Sequence, residues 1–313
     1  MNKIHAKSQC CHARIWQHGA RRRYCSGCGR TWSLRQKRRG RKRNRCTGQA
    51  LLRYFKSGNS NLSAYRLRQE LKYFLAYTQW QTVPSGQLIV IADAFYARVA
   101  KRRFTAYITL LRPVNGTEAV ILPPTMHEGV ETYMGWRSHF ATLPKSVSRR
   151  LVAGVCDGRT GLIALFRERN LLLQRCHFHF IARLQIKRSK RRSSHHYEEG
   201  LRLYNLAKVA LTASTPVAQA ARRELANAAR TAPRGLKTVL SGFVLNYEDY
   251  RTYRSYRYLM LPTTTGAAES LIGSIRGLLC QLRGVRTRTA FEKWINAYLK
   301  YRRTIRCNSP QNY

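Results

Sequence analysis

Short apolar runs separated by turn-length gaps occupy the stretch from residue 87 to residue 176. "QLIVIA", "FTAYITLL" and "EAVILPP" are rich in β-branched and aromatic residues and predict three consecutive strands. "GVETYMGWRSHFATL" and "GLIALFRER" have apolar positions at helical spacing. "LVAGVC" predicts a fourth strand, and "NLLLQRCHF" predicts a fifth that runs into a helix. The order of strands and helices therefore predicts an α/β fold.

Helical patterns precede and follow this segment. "GQALLRYFKSGNSNLSAYRLRQELKYFLAYTQW" predicts two helices around the turn "SGNSN", which fits a helix-turn-helix and a plain helical spacer equally well. "TVPSG", residues 82–86, predicts a domain boundary. Strand patterns are missing from residues 182–261, where Ala- and Leu-rich helices are expected. "TTTGAAESLIGSIRGLLCQL" and "AFEKWINAYLKYRR" predict two more amphipathic helices.

The excess of positive charge limits the choice of partner. The 313 residues include 58 Lys and Arg but 14 Asp and Glu, so the formal net charge is +44. Self-repulsion of that size favours binding to a polyanion, and nucleic acid is the expected one. A membrane-surface protein and a ribosomal-type RNA-binding protein are the alternatives.

Location is predicted from what the sequence lacks. No 7–15-residue apolar stretch follows the basic N-terminus, and no apolar run approaches the 18 residues of a membrane span. The nine cysteines are an odd number in a long chain, which fits a reducing compartment. We expect a cytoplasmic, nucleoid-associated protein without a membrane partner.

Four cysteines crowd into the first 28 residues and predict a structural zinc site. Cys25 and Cys28 form a Cys-x-x-Cys pair followed by glycine, so that two thiolates can share one tetrahedral ion. Cys10 is the best third ligand. His5 is the preferred fourth ligand, and Cys11 and His12 are the alternatives. Four reduced thiols without metal are the competing interpretation.

Two aspartates stand in similar places, although the chain has only three. Asp93 follows "QLIVIA" and Asp157 follows "LVAGVC". If the first and fourth strands are neighbours, the two carboxylates lie side by side and repel each other unless a divalent cation binds between them. Oxygen ligands suit Mg²⁺, and two such ions can clamp both oxygens of a phosphoryl displacement. The competing interpretation is that both aspartates cap turns.

A third acidic ligand is expected from a helix beside the sheet. Glu269 lies in the first turns of its helix, next to an apolar stripe, and can face the sheet. Glu248 and Asp249 in "NYEDY" are the alternatives. Glu269 can also simply complement its helix N-terminus.

Four motifs together resemble one family. "IVIADAFYARV", "VAGVCDGRTGL", "QRCHFHFIARL" and "TTTGAAESLIGSIRG" are similar in order and spacing to transposases of bacterial insertion sequences related to the Mutator-like elements. The resemblance covers roughly residues 85–300. It implies a ribonuclease H-like core in which Asp93, Asp157 and Glu269 are the catalytic triad that holds two Mg²⁺ ions, with Mn²⁺ as a substitute. It also implies a helical insertion before the glutamate helix, and at least a dimer on DNA.

The resemblance gives further expectations at two motifs. The third motif contains Cys176 and His179, for which a hydrogen-bonding role near the active site is favoured over half of a second zinc site. "RRYCSGCGRTWS" resembles the zinc ribbons of insertion-sequence transposases, although Lys7 stands where the usual first pair would have another cysteine. The predicted domains are a zinc ribbon at 1–34, a basic arm and helix-turn-helix-like region at 35–85, a core segment at 86–181, a helical insertion at 182–261, and the rest of the core at 262–313.

DNA contacts are expected in three places. "RQKRRGRKRNR" has eight Lys or Arg in eleven residues and predicts an arm along phosphates. Its proposed contacts are Arg38, Arg39, Arg41, Lys42, Arg43 and Arg45. Tyrosines at 247, 250, 253 and 256 alternate with arginines at 251, 254 and 257; they can grip a distorted strand or pack on the core. Tyr250, Arg251 and Arg254 are the predicted contacts there, and Arg276 is predicted on the glutamate helix.

Three functions follow from these expectations. The first is a DNA transposase that cleaves element ends and joins them to double-stranded target DNA. The second is a non-catalytic, transposase-derived regulator, and the third is a structure-selective nuclease of the same fold. The three acids favour catalysis, since a protein that only binds DNA has no need of all three.

Overall fold

The structure is a computed structural model that describes residues 15–18, 22–33, 46–58, 62–188, 196–282, 285 and 287–307. The chain divides into two compact units, residues 1–46 and residues 47–313. The proposed zinc ligands His5 and Cys10, with the alternatives Cys11 and His12, lie outside the described residues. The same is true of the six arm residues Arg38, Arg39, Arg41, Lys42, Arg43 and Arg45.

The first unit contains a three-stranded antiparallel sheet. Its strands are β1 (Ile15–His18), β2 (Arg22–Cys25) and β3 (Thr31–Ser33), in the order β1-β2-β3. Cys25 ends β2 and is buried, whereas Cys28 is exposed in the turn that follows. The Gly29 N–H donates to the Cys25 carbonyl, and its φ of 71° is one that glycine adopts without strain. The predicted Cys-x-x-Cys pair thus lies on a tight turn, and its zinc stays a prediction.

The second unit is built on a seven-stranded mixed sheet. Its strands are β4 (Leu88–Val99), β5 (Arg102–Pro113), β6 (Glu118–Ile121), β7 (Thr125–Glu128), β8 (Leu151–Cys156), β9 (Leu172–Arg175) and β10 (Thr304–Arg306). They are ordered β10-β6-β5-β4-β8-β9, and β7 pairs with β5. The pairs β4–β8 and β8–β9 are parallel, and the others are antiparallel. The mixed α/β class and all five predicted strands are confirmed, while β7 and β10 were not predicted.

Twelve α-helices are present in the described part of the chain. They are α1 (Gln49–Ser57), α2 (Ala64–Tyr77), α3 (Tyr133–Ala141), α4 (Lys145–Ser148), α5 (Thr160–Glu168), α6 (His177–Lys187), α7 (Tyr197–Thr212), α8 (Thr215–Thr231), α9 (Arg234–Leu245), α10 (Tyr247–Ser255), α11 (Gly266–Gln281) and α12 (Arg288–Arg302). A 3₁₀ turn spans residues 257–259. Within the segments that the structure covers, no helix is both long and apolar enough to cross a bilayer.

The two faces of the large sheet bury different helices. Ile89, Ile91 and Phe95 of β4 share one core with side chains of α1, α2, α11 and α12. Leu88 and Val90 point the other way, into a core with α3 and α5. Side chains alternate along a strand, so Asp93 lies on the face that α11 covers.

A third core joins helices α6 to α10. Its buried residues come from all five of these helices, and Phe180 of α6 stacks on Phe243 of α9 with ring centroids 4.2 Å apart. The strand-poor segment predicted from the sequence is therefore a helical layer with a core of its own. Gln174 of β9 connects it to the sheet, because its amide donates to the Tyr250 carbonyl and accepts from the Tyr253 N–H.

The structure places two of the predicted DNA contacts, Tyr250 and Arg251, in its interior. Both side chains are buried, and the Arg251 guanidinium donates to the Leu211 and Ala213 carbonyls at the end of α7. Arg254 is half-buried, and its guanidinium donates to the Thr212 carbonyl. A helix C-terminus leaves backbone carbonyls without partners within the helix, and the two arginine side chains donate hydrogen bonds to those at the end of α7. The alternative, a tyrosine face packed on the core, is what the structure has.

Candidate active site

The parallel pairing of β4 with β8 brings the two predicted aspartates together. The register pairs Ile89 with Ala153 and Ile91 with Val155. Continued by two residues, that register sets Asp93 opposite Asp157. Asp93 lies within β4, although the strand was predicted to end before it. β4 pairs with β8 as far as Ile91 and continues along β5 to Val99.

The Asp93 carboxyl is in an electrostatically costly position. Its pKa is raised to about 7, first by burial and then by the neighbouring charges of Asp157, Glu269 and Glu131. A hydrogen bond of 2.8 Å from the Ala94 N–H to Oδ1 acts in the opposite direction. A buried carboxyl with other carboxylates beside it forms a site to which a cation is attracted.

Glu269 enters the same region from α11. It lies in the first turn of that helix, and its neighbours Ala268, Leu271 and Ile272 are buried in the core beneath the sheet. Its charge raises the pKa of Asp93, as the charge of Asp157 does. The structure therefore brings Asp93, Asp157 and Glu269 into one electrostatic neighbourhood.

Cys176 and His179 contact this glutamate. Glu269 Oε1 lies 3.4 Å from His179 Nδ1 and 4.0 Å from Cys176 Sγ, and it accepts a hydrogen bond of 2.7 Å from the Thr265 hydroxyl. The Thr265 N–H donates to the same sulfur at 3.3 Å. The ligand atoms of Cys176, His179 and Glu269 lie within 4.8 Å of one another, so this group could hold a metal ion.

Burial and hydrogen bonding act in opposite directions on the Cys176 thiol. Burial raises its pKa, whereas the hydrogen bonds from the Thr265 hydroxyl and N–H lower it. The cysteine is the residue before α6, and Thr265 is the residue before α11. The N-termini of two helices thus meet at the cluster, where anionic side chains are stabilised.

A fourth acid, Glu131, was not predicted. Its side chain is 10% exposed and accepts hydrogen bonds from Trp136 Nε1 at 2.8 Å and from the Tyr96 hydroxyl at 3.4 Å. Burial is the main cause of its raised pKa. Arg159 Nε lies 3.8 Å from Glu131 Oε2 and 3.4 Å from Asp157 Oδ2. One exposed arginine therefore faces both acids.

Sequence reasoning had little chance of finding Glu131. The residue was predicted to lie inside a helix over 129–143, whereas α3 begins at Tyr133 and leaves Glu131 in the segment before it. Glu131 is linked to Asp157 through Arg159, and both of these residues lie far from Glu131 in the sequence. The one available signal was the scarcity of acids in this chain.

The alternative acids are engaged elsewhere. Glu248 Oε1 lies 3.5 Å from Arg222 Nη1, and Asp249 Oδ2 lies 3.0 Å from Arg167 Nη2. Both acids are in the first turn of α10, where a negative charge is favourable. These ion pairs explain the positions of Glu248 and Asp249 without a role beside Asp93 and Asp157.

Arg276 is exposed on α11, as a DNA contact requires. It lines a groove of about 620 Å³ together with Arg98 and an apolar floor that includes Phe95 and Leu279. The groove begins two residues beyond Asp93 along β4. Its contact with DNA stays a prediction.

No protein-family model matches this chain, and no curated protein is similar to it.

Proposed function

We propose that this protein is a DNA transposase that cleaves the ends of its element and joins them to target DNA. The observation that carries the proposal is that Asp157, after the neighbouring strand β8, and Glu269, on helix α11, are both close enough to Asp93 to raise its pKa. These acids come from a chain with a net charge of +44, in which acids are scarce. In a protein that binds a polyanion, clustered acids are unfavourable unless they bind a cation.

The arrangement of the sheet supports a ribonuclease H-like core. Three consecutive antiparallel strands, β4 to β6, are followed by β8 and β9, which are reached through helices and run parallel to β4. The first aspartate is on β4, and the second follows β8. The helical layer α6–α10 separates these strands from α11, which carries the glutamate, as the resemblance to Mutator-like transposases implies.

The acids fit a hard divalent cation. Asp93, Asp157 and Glu269 offer carboxylate oxygens, the ligands that Mg²⁺ prefers, and their mutual repulsion falls when a cation binds. Bound Mg²⁺ or Mn²⁺ ions would polarise the phosphate and activate water or a 3′-hydroxyl. Asp93, whose pKa is raised, must lose its proton to act as a ligand. Before a cation binds, Arg159 offsets the negative charge of Asp157.

The other proposed parts bind and arrange DNA. The zinc ribbon with Cys25 and Cys28, the basic arm and Arg276 contact the element ends and target, and two chains assemble on paired ends. The positive charge supports this because phosphate contacts release counterions. Such a protein acts at the nucleoid.

A strand-transfer assay separates the candidate functions. Labelled duplexes from the DNA that flanks the coding sequence are incubated with protein, Mg²⁺ and unlabelled plasmid. A transposase gives labelled plasmid, and a nuclease gives cleaved duplex alone. Bound but intact duplex would instead indicate the non-catalytic regulator and overturn the proposal.

A further inference from the structure

The cluster of Cys176, His179 and Glu269 has a chemistry different from that of the two aspartates. A thiolate and an imidazole are ligands of zinc and similar transition metals, whereas Mg²⁺ prefers oxygen ligands alone. The two kinds of ligand meet at Glu269. Its carboxylate contacts the cysteine and the histidine, and its charge raises the pKa of Asp93.

The distances are close to those of a tetrahedral zinc site. With zinc bonds of about 2.0–2.3 Å, a nitrogen and an oxygen ligand lie about 3.4 Å apart, and a sulfur and an oxygen about 3.6 Å apart. His179 Nδ1 and Glu269 Oε1 are 3.4 Å apart, and Cys176 Sγ and Oε1 are 4.0 Å apart. A closure of about 0.4 Å brings the sulfur to its tetrahedral distance from Oε1, and the ligand atoms of all three residues lie within 4.8 Å of one another.

The ligands are held in place and can be reached by an ion. Cys176 is the residue before α6, His179 lies in the first turn of α6, and Glu269 lies in the first turn of α11. The sulfur is buried, but the side chains of His179 and Glu269 are each 27% exposed. An ion can therefore approach from the side of these two residues. Three protein ligands leave a fourth position for water, as in zinc sites that are open to solvent.

We propose that these three residues bind a zinc-type ion, and that the ion inhibits DNA cleavage by holding Glu269 away from the two aspartates. On binding, the Cys176 thiol releases its proton to solvent and the sulfur bonds to the metal. The Thr265 hydroxyl already donates to Oε1, so the carboxylate is turned toward this cluster before any ion binds. The inhibition rests on the proposed function, whereas the binding does not.

Cobalt is a suitable probe for the binding part. Co²⁺ is titrated into the metal-free full chain, and thiolate-to-cobalt absorption is recorded for wild type, Cys176→Ser and Cys280→Ser. Cys280 is an exposed cysteine of α11 and serves as the matched control. We expect Cys176→Ser to lose one equivalent of bound Co²⁺, with affinity at this site reduced at least about 100-fold, and Cys280→Ser to behave like wild type.

A second variant protects the result against misfolding. His179→Gln removes a ligand at a half-buried position, and circular dichroism confirms the folding of each variant. Cysteines of the N-terminal unit contribute equally to cobalt binding in wild type and in each variant, so differences in bound cobalt report on the cluster of Cys176, His179 and Glu269. Equal cobalt stoichiometry and spectra in wild type and both ligand variants would overturn the proposed site.

The inhibitory part is tested by the ratio of cleavage with and without micromolar Zn²⁺ at constant Mg²⁺. We expect this ratio to be at least about tenfold lower for wild type than for His179→Gln. Equal inhibition of both would overturn the regulatory claim while leaving the binding result intact. A wild-type protein that cleaves no DNA at all would contradict the proposed function and the inhibition that rests on it, and the cobalt titration would still decide the site.

Discussion

The parallel register of β4 and β8, continued by two residues, sets Asp93 opposite Asp157, and each aspartate follows an apolar run in a chain with few acids. What the sequence could not supply was their surroundings. Glu131 and Arg159 join the pair through contacts between segments that are far apart in the chain, and no spacing rule indicates such contacts. The partners of Cys176 and His179 were equally hidden, since Thr265 and Glu269 reach them from another helix.

The burial of Asp93 predicts a pH dependence of stability. The pKa of this carboxyl is 3.8 in the unfolded chain and about 7 in the folded protein. The folded state binds more protons between these values, so its stability falls as pH rises through that window. With chelator present, Asp93→Asn should be more stable than wild type at pH 7.5 by roughly 1–4 kcal/mol, with a smaller difference at pH 5.

Urea unfolding at both pH values measures this effect, with Asp249→Asn as the control because Asp249 is in a surface ion pair. We further expect Mg²⁺ to stabilise wild type at pH 7.5 and to leave Asp93→Asn unchanged. Identical pH slopes for wild type and Asp93→Asn would contradict the assigned cause.

Glu131 is predicted to position Arg159. In Glu131→Gln the side chain can still accept from Trp136, but Arg159 is left with Asp157 as its acidic neighbour. The cation then competes with the arginine for Asp157. We expect the Mg²⁺ concentration for half-maximal cleavage to rise about tenfold, with little change at saturating Mg²⁺.

The charge-neutral double variant is the informative control for Glu131. Adding Arg159→Gln to Glu131→Gln removes the competitor and should restore the Mg²⁺ dependence toward wild type. A purely structural role for Glu131 would lower activity at all Mg²⁺ concentrations and would not respond to the second substitution.

At the scale of elements, the main strands and helices followed from periodicity, but short edge strands and helix faces did not. β7 and β10 have only four and three residues, and their pairing depends on which sheet edges lie nearby. The α10 tyrosines gave a helical pattern that fitted a DNA-binding face and a core face alike. Gln174 and the carbonyls of α7 determine which is correct, and they come from elsewhere in the chain.

Arg251 is therefore predicted to matter for stability. Arg251→Ala leaves buried carbonyls at the end of α7 without their donor, and we expect it to lower the free energy of unfolding by about 2–4 kcal/mol. The exposed Arg257, changed to alanine, should stay within about 0.5 kcal/mol of wild type. Urea unfolding compares the two. A stable Arg251→Ala protein with selectively weakened DNA binding would restore the DNA-contact interpretation.

At the scale of the whole molecule, net charge and the order of elements predicted a DNA-binding α/β protein, and the structure has the predicted α/β class. The sequence does not determine which surfaces associate, because exposed apolar side chains are scattered over several elements. Two chains of charge +44 repel each other. The Debye length at 0.1 M salt is about 10 Å, so this repulsion is only partly screened at close approach.

Bound DNA should change the state of association. We expect weak or no association of the free protein at moderate salt, and a defined dimer on duplexes that carry paired ends, because DNA neutralises the repulsion and bridges the chains. Light scattering with and without the duplex measures the mass. A strictly monomeric complex that still transfers strands would falsify this prediction.

The central claim is that Asp93, Asp157 and Glu269 form one metal-dependent centre for DNA cleavage. The most direct measurement is Mg²⁺-dependent cleavage of a labelled duplex by Asp93→Asn, Asp157→Asn and Glu269→Gln, with Glu248→Gln and Asp249→Asn as matched controls. Gel-shift binding is measured on the same samples. We predict that each of the first three variants loses cleavage by at least about 10³-fold but binds DNA as tightly as wild type, and that both controls stay active. Cleavage that survives in any of the first three, or that is lost equally in the controls, would contradict the account.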